Sequence, residues 1–217
     1  MKHLIKLFGI VFLFTACIDN TVYFEKPQPE GLKNLAALPT FYLGEYLDKD
    51  SNQLTIDKKR VILKSYYSMS YTKAEIDRTK KFYIDKMYLI DRKTNEKFAF
   101  KMAHDTIVAQ EYNIDTIFNL SDDNIARQFK GNLILNYKKN SSWRVEVLSL
   151  NSWILKHSNF TSKDLFNKLT TISNSEVVTD STKKVTVRKF LKPTKKQFEN
   201  ILSQKDSLLI NTYNKIK

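Results

Sequence analysis

The side chains suited to proton transfer or nucleophilic attack in this 217-residue chain are fourteen Asp, nine Glu, three His and one Cys. His104 stands beside Asp105, and His157 closes the apolar run Trp153-Ile154-Leu155-Lys156. Triad chemistry needs a nucleophile, a base and an orienting acid that converge in space. The His104-Asp105 pair lies between two strand-like segments and reads as a hairpin turn, and His157 reads as an ordinary strand-end residue. No HExxH, GxSxG, P-loop or dinucleotide fingerprint is present, and four glycines could hardly supply one. Ser121-Asp122-Asp123-Asn124 is the densest acidic patch, but it lacks the Gly and distal Glu of a calcium loop and reads as a polar turn. Two carboxylates flanking a glycosidic bond would serve hydrolysis; only their separation in space identifies such a pair. A single Cys rules out an intramolecular disulfide and any multi-Cys metal site. No catalytic residue, metal ligand or cofactor is expected.

The cysteine has its own context. Lys2 and Lys6 precede the apolar run Leu7 to Phe14, and Thr15-Ala16-Cys17 closes it with small residues. That is the layout of an export signal over residues 1–16, and its apolar run is far shorter than the ~20 residues of a spanning helix. Phe14-Thr15-Ala16-Cys17 resembles a bacterial lipobox, with Phe where Leu is preferred. The resemblance implies a Cys17 carrying palmitate-like acyl chains, each buried methylene contributing about 0.8 kcal/mol to membrane attachment.

Residues 17–40 read as the lipidated cysteine and an extended tether, since Lys26-Pro27-Gln28-Pro29-Glu30-Gly31 cannot continue a helix or a central strand. Residues 41–217 read as one β-rich domain with a C-terminal helix and a basic tail. Phe98, Phe100 and Met102 alternate with Lys97, Ala99 and Lys101; Leu133, Leu135 and Tyr137 alternate with Asn132, Ile134 and Asn136. Trp143, Val145 and Val147 form a third such run, Val185 and Val187 a fourth, and Phe82, Ile84, Tyr88 and Ile90 share one face of a fifth. Polar connections of hairpin length separate them at Asp48 to Asn52, Arg92 to Glu96 and Lys138 to Ser142. The expected class is mainly β, an antiparallel meander forming a barrel or sandwich. A short helix is expected near 162–169 behind Thr161 and a second near 194–203, where Thr194-Lys195-Lys196-Gln197 forms a capping box.

Net charge is +13. It gathers at the C-terminal end, where residues 183–217 hold ten Lys and Arg against Glu199 and Asp206. Such a segment suits either a solvated face or contact with anionic headgroups. No recognition motif accompanies the charge, and no nucleic-acid partner is expected. Trp143, Trp153, Tyr66, Tyr67, Tyr71, Phe82, Tyr83 and Tyr88 would either fill a core or line a ligand cavity or partner face. Asp105-Thr106-Ile107, Asp115-Thr116-Ile117, Asp180-Ser181-Thr182 and Asp206-Ser207-Leu208 resemble the O-glycosylation sequon of exported Bacteroidota proteins. Ser181 and Ser207 are the accessible members of that set.

Phe24 to Gly31, Leu38-Pro39 leading to Gly44-Glu45-Tyr46, Arg127 to Asn132 with Trp143-Arg144-Val145, and Phe190 to Thr194 together resemble a family of uncharacterised Bacteroidota lipoproteins. The resemblance implies an exported, lipid-anchored β domain, with membrane lipid as the partner of acylated Cys17, and carries over no catalytic residue. Gly44-Glu45-Tyr46 is also similar to the Gly-x-Trp of lipocalin first strands, with Tyr for Trp. The expectation is an outer-membrane envelope lipoprotein with a non-enzymatic binding or structural domain that meets a protein or glycan. The alternatives are a lipocalin-like carrier of a small apolar ligand and an envelope hydrolase using a carboxylate pair.

Overall fold

The computed structural model describes residues 21–161, 165–180 and 185–216, with the backbone alone at 177–180, 185–189 and 207. In chain order the elements are β1 (Tyr23–Phe24), β2 (Gly44–Leu47), β3 (Gln53–Ile56), β4 (Arg60–Thr72), α1 (Lys73–Thr79), β5 (Phe82–Asp85), β6 (Tyr88–Asp91), β7 (Lys97–Ala103) and β8 (Thr106–Asn119). There follow β9 (Asn124–Phe129), β10 (Asn132–Lys139), β11 (Ser142–Asn151), β12 (Ile154–Asn159), α2 (Leu165–Thr170), β13 (Ser175–Asp180), β14 (Val185–Leu191), α3 (Lys195–Leu202) and β15 (Leu209–Lys215).

The strands form one sheet in the order β13-β14-β1-β11-β12-β15-β2-β3-β4-β8-β7-β6-β5, with β10 joining β11 to β9. The protein is mainly β, as the alternation predicts. Its path does not close on itself, which is compatible with a sandwich-like arrangement. Neighbours are antiparallel except β1 and β14, where Tyr23 lies beside Phe190 and Phe24 beside Leu191 in parallel register. Two-residue turns with positive φ at the first position close several hairpins, at Lys86-Met87, His104-Asp105, Asn140-Ser141 and Ser152-Trp153.

The pair β10 and β11 is buried on both faces because it divides two cores. Ile134, Val145 and Val147 face one core with Phe24 of β1, Leu165, Phe166 and Leu169 of α2, and Phe198, Ile201 and Leu202 of α3. Leu133, Leu135, Tyr137 and Leu148 face the other with Tyr42, Tyr46, Leu54, Val61, Phe118, Leu155 and Tyr213. The far ends of the long strands β4 and β8 carry a separate lobe, where Met69, Ile76, Phe82, Leu89, Phe98, Ile107 and Ala109 pack together with α1 and β5–β7.

Helix α3 follows its sequence signature: the Thr194 hydroxyl accepts the Gln197 N–H, and the Gln197 side chain accepts the Thr194 N–H. Helix α2 begins its described part at Leu165, within the expected segment. Helix α1 was not anticipated, although Thr72 and Glu75 form the same reciprocal box.

Three expectations need correction. Residues 21–40 are not free tether: Val22, Phe24, Gln28 and Leu38 are each no more than 2% exposed. Val22 N–H donates to the Phe160 carbonyl at 2.8 Å, and apolar side chains spaced along a Pro-rich segment gain more by joining the core than by staying in water. The basic tail is in part a strand, for β15 lies inside the sheet between β12 and β2. Phe82, Ile84, Tyr88 and Ile90 do not share a face, because the Lys86-Met87 turn folds the segment back and places Ile84 opposite Leu89.

Candidate functional site

Cys17 and Ser181 lie outside the described residues. The described chain begins at Thr21, which bridges to Thr161 just beyond β12. Ser207 falls in a 3-10 turn over Lys205–Leu208, where Asp206 pairs with Lys156 at 3.0 Å. Thr106 and Thr116, the other sequon hydroxyls, lie within β8.

His104 and Asp105 form the exposed turn between β7 and β8, as their sequence context predicts. His157 does not behave as a simple strand-end residue. On β12 it is buried, and its Nε2 lies 2.9 Å from Glu146 Oε2, which also accepts the Tyr137 hydroxyl at 2.8 Å. Arg144 reaches Glu146 Oε1 at 3.3 Å and covers the Tyr137 ring at 4.4 Å. Burial pushes the Glu146 carboxyl up, but the hydrogen bond and charge of His157, with Arg144 and Tyr137, outweigh it and hold the group below the usual carboxylate range. The same burial raises the Tyr137 hydroxyl well above its ordinary value. Tyr137, Glu146 and His157 are each under a tenth exposed. The cluster is therefore an internal strut in which the Glu146 carboxylate binds Tyr137, His157 and Arg144, while Arg144 Nε is buried without a hydrogen-bond partner. Cross-strand register creates it, since Tyr137 lies opposite Arg144 and Leu148 opposite His157. Alternation along β11 puts Arg144 and Glu146 on one face, but only the pairing shows that His157 joins them.

The other buried carboxylates organise turns. Asp48 Oδ1 accepts the N–H groups of Asp50 and Asn52, and Oδ2 accepts the amides of Asn52 and Asn211. Asp91 Oδ1 accepts the N–H groups of Lys93 and Thr94. Among the described residues no three His, Cys, Asp or Glu side chains gather as metal ligands would. Ser121 closes its turn on Asn124, as expected of that acidic patch.

The aromatics do not converge on one cavity. Phe82 is core, Trp143 packs against the core around α2 and α3, and Trp153 is 69% exposed in the turn between β11 and β12. Tyr67 projects from β4 and hydrogen-bonds Glu111; Tyr66 meets Tyr112 edge to face, with Lys64 Nζ 4.1 Å from the Tyr112 centroid. The interior of the larger core is filled by Tyr42, Tyr46, Phe118 and Tyr137. Tyr46, the residue of the Gly-x-Trp-like position, donates its hydroxyl to the Tyr42 carbonyl, and Tyr42 donates to those of Gly131 and Leu148. Burial pushes both hydroxyls up to about 12.

One surface feature has the character of a binding site and went unnoticed in the sequence. On the lobe, a groove of about 530 Å³ is lined by Ile84, Met87, Phe100, Met102 and Ile107, with Lys73, Lys86 and Lys101 around it. Its residues come from α1, β5, the β5–β6 turn, β7 and β8, and only the folding of these elements against one another brings them together.

No known protein family matches the chain, and no curated protein or solved structure is significantly similar to it.

Proposed function

We propose that this is a lipid-anchored lipoprotein of the bacterial cell envelope, held at the outer membrane through acylated Cys17, whose β domain binds a partner rather than catalysing a reaction. The observation that carries the reading is the distance between the lone cysteine and the body. Cys17 stands four residues before Thr21, the first described residue, which is bridged to Thr161. At about 3.4 Å per residue, that link reaches roughly 14 Å. A body so closely leashed is held against the headgroups, where a protein or glycan partner would be met. The filled interior leaves the surface as the place for a ligand. In the polar strut, Glu146 and His157 are both buried and bonded to each other.

The test is a Cys17→Ser change followed by membrane fractionation and intact-mass measurement. The wild-type protein is expected in the membrane fraction with the added mass of its acyl chains, and the variant without either. A variant that stays membrane-bound, or a wild-type mass without lipid, overturns the anchoring reading.

A further inference from the structure

The geometry points to the lobe groove as a binding site for a free single-chain amphiphile with an anionic head, of the long-chain fatty-acid type. Phe100 and the fully buried Ile107 form its floor, and Ile84, Met87 and Met102, all at least 40% exposed, form its walls. Exposed apolar side chains gathered in one concavity cost free energy in water unless something covers them. A volume of about 530 Å³ suits a small ligand, since such sites run from roughly 300 to 1,000 Å³. Two flexible thioether side chains let the walls follow an irregular aliphatic chain.

Charge selects the head group. Lys73, Lys86 and Lys101 are exposed, no carboxylate lines the groove, and none of the three makes an ion pair among the described residues. Three unneutralised cations around an apolar trough raise the local positive potential, which an anion would lower. An acyl chain along the floor with its carboxylate among the lysines satisfies both features together. A neutral ligand would leave the charges unanswered, and a small inorganic anion would leave the trough uncovered.

The occupant is a free ligand rather than the bilayer surface. In the sheet order six strands separate β1, where the chain enters from Cys17, from β8 of the lobe. The site also stands apart from the anchoring reading, because neither Cys17 nor its acylation contributes to it.

The test uses the full chain in phosphatidylcholine nanodiscs and hexadecanoate bearing a mid-chain diazirine, with crosslinks mapped by mass spectrometry. Saturable labelling of the segments 84–87 and 100–107 is expected, competed by unlabelled hexadecanoate and at least tenfold less by hexadecan-1-ol. In the double variant Lys86→Glu/Lys101→Glu, whose side chains touch no core, labelling is expected to fall at least tenfold. Labelling spread over the chain, labelling unchanged in the variant, or equal competition by the alcohol overturns the proposal. Labelling that phosphatidylglycerol in the disc abolishes but free hexadecanoate does not compete overturns it too, and assigns the groove to membrane headgroups.

Discussion

Asn136 pairs with Gln28 as though the two belonged to adjacent strands. Its Oδ1 accepts the Gln28 N–H at 2.6 Å and its Nδ2 donates to the Gln28 carbonyl at 2.9 Å, across 108 residues of sequence. Pro27 and Pro29 flank Gln28 and lack N–H donors, so this segment cannot sustain a backbone ladder. A buried side-chain amide supplies the two bonds instead. Arg127 completes the attachment by donating to the carbonyls of Pro27 and Pro29 at 2.6 and 2.7 Å.

Replacing Asn136 with Leu keeps the branched shape but leaves the Gln28 N–H and carbonyl buried without partners. Each orphaned group costs about 1–3 kcal/mol, and a loss of roughly 3 kcal/mol is expected. Urea unfolding would register it as a lower midpoint with unchanged slope.

A chain beginning at Phe41 would lose Val22, Phe24 and Leu38 from two cores and strip Asn136 and Arg127 of their partners. About 2–3 kcal/mol per apolar side chain and a similar figure per orphaned polar group sum to about 10–15 kcal/mol. That is comparable with the whole stability of a domain. Such a chain is expected to fail to fold, whereas one beginning at Asp19 retains cooperative unfolding; circular dichroism distinguishes the two.

Asp48 predicts a pH dependence. Burial pushes its carboxyl up, but hydrogen bonds from Asn52, Asn211 and Asp50 outweigh this and hold it below the usual range. A folded-state value below the unfolded one, near 3.9, contributes stability above that pH and loses it as pH falls through the folded-state value. Asp48→Asn would set an amide against the amides of Asn52 and Asn211. A loss of about 2 kcal/mol at pH 7 is expected, shrinking as acid protonates the wild-type carboxyl. A gap that stays constant down to pH 2 would contradict this account.

Phe198 and Trp153 should respond oppositely to removal. Phe198 is fully buried, with ring centroids 5.9 Å from Phe24 and 6.5 Å from Phe129, and Phe198→Ala is expected to cost about 3–5 kcal/mol. Trp153 is 69% exposed, and Trp153→Ala should stay within about 0.5 kcal/mol. Thermal unfolding of the two variants side by side checks the contrast.

What was legible in the sequence had a local cause. Alternation revealed β7, β10, β11 and β14, and reciprocal capping at Thr194 and Gln197 revealed α3. Helix α1 carries an equal box, but it spans only seven residues and follows directly on a strand rich in Tyr, so the strand pattern masked it. Strand β15 was missed because Leu208, Leu209 and Ile210 are consecutive rather than alternating. The packing of residues 21–40 was hidden for another reason: its hydrogen bonds come from Asn136 and Arg127, a hundred residues away. The groove was illegible on the same principle, for its three lysines belong to different elements and share a place only after the hairpins close.

The placement of β15 bears on the order in which the molecule can assemble. It is the last of the described strands, yet it bridges β12 to β2. Before it arrives, the strands behind it form two half-sheets, one built on β11 and the other on β4 and β8, with no backbone ladder between them. The strand that comes after all the other described strands in the sequence thus acts as a keystone. Until it is set, both halves stay open along the edges it will join, so a chain cut short before residue 209 would present unpaired strand edges to chaperones and proteases.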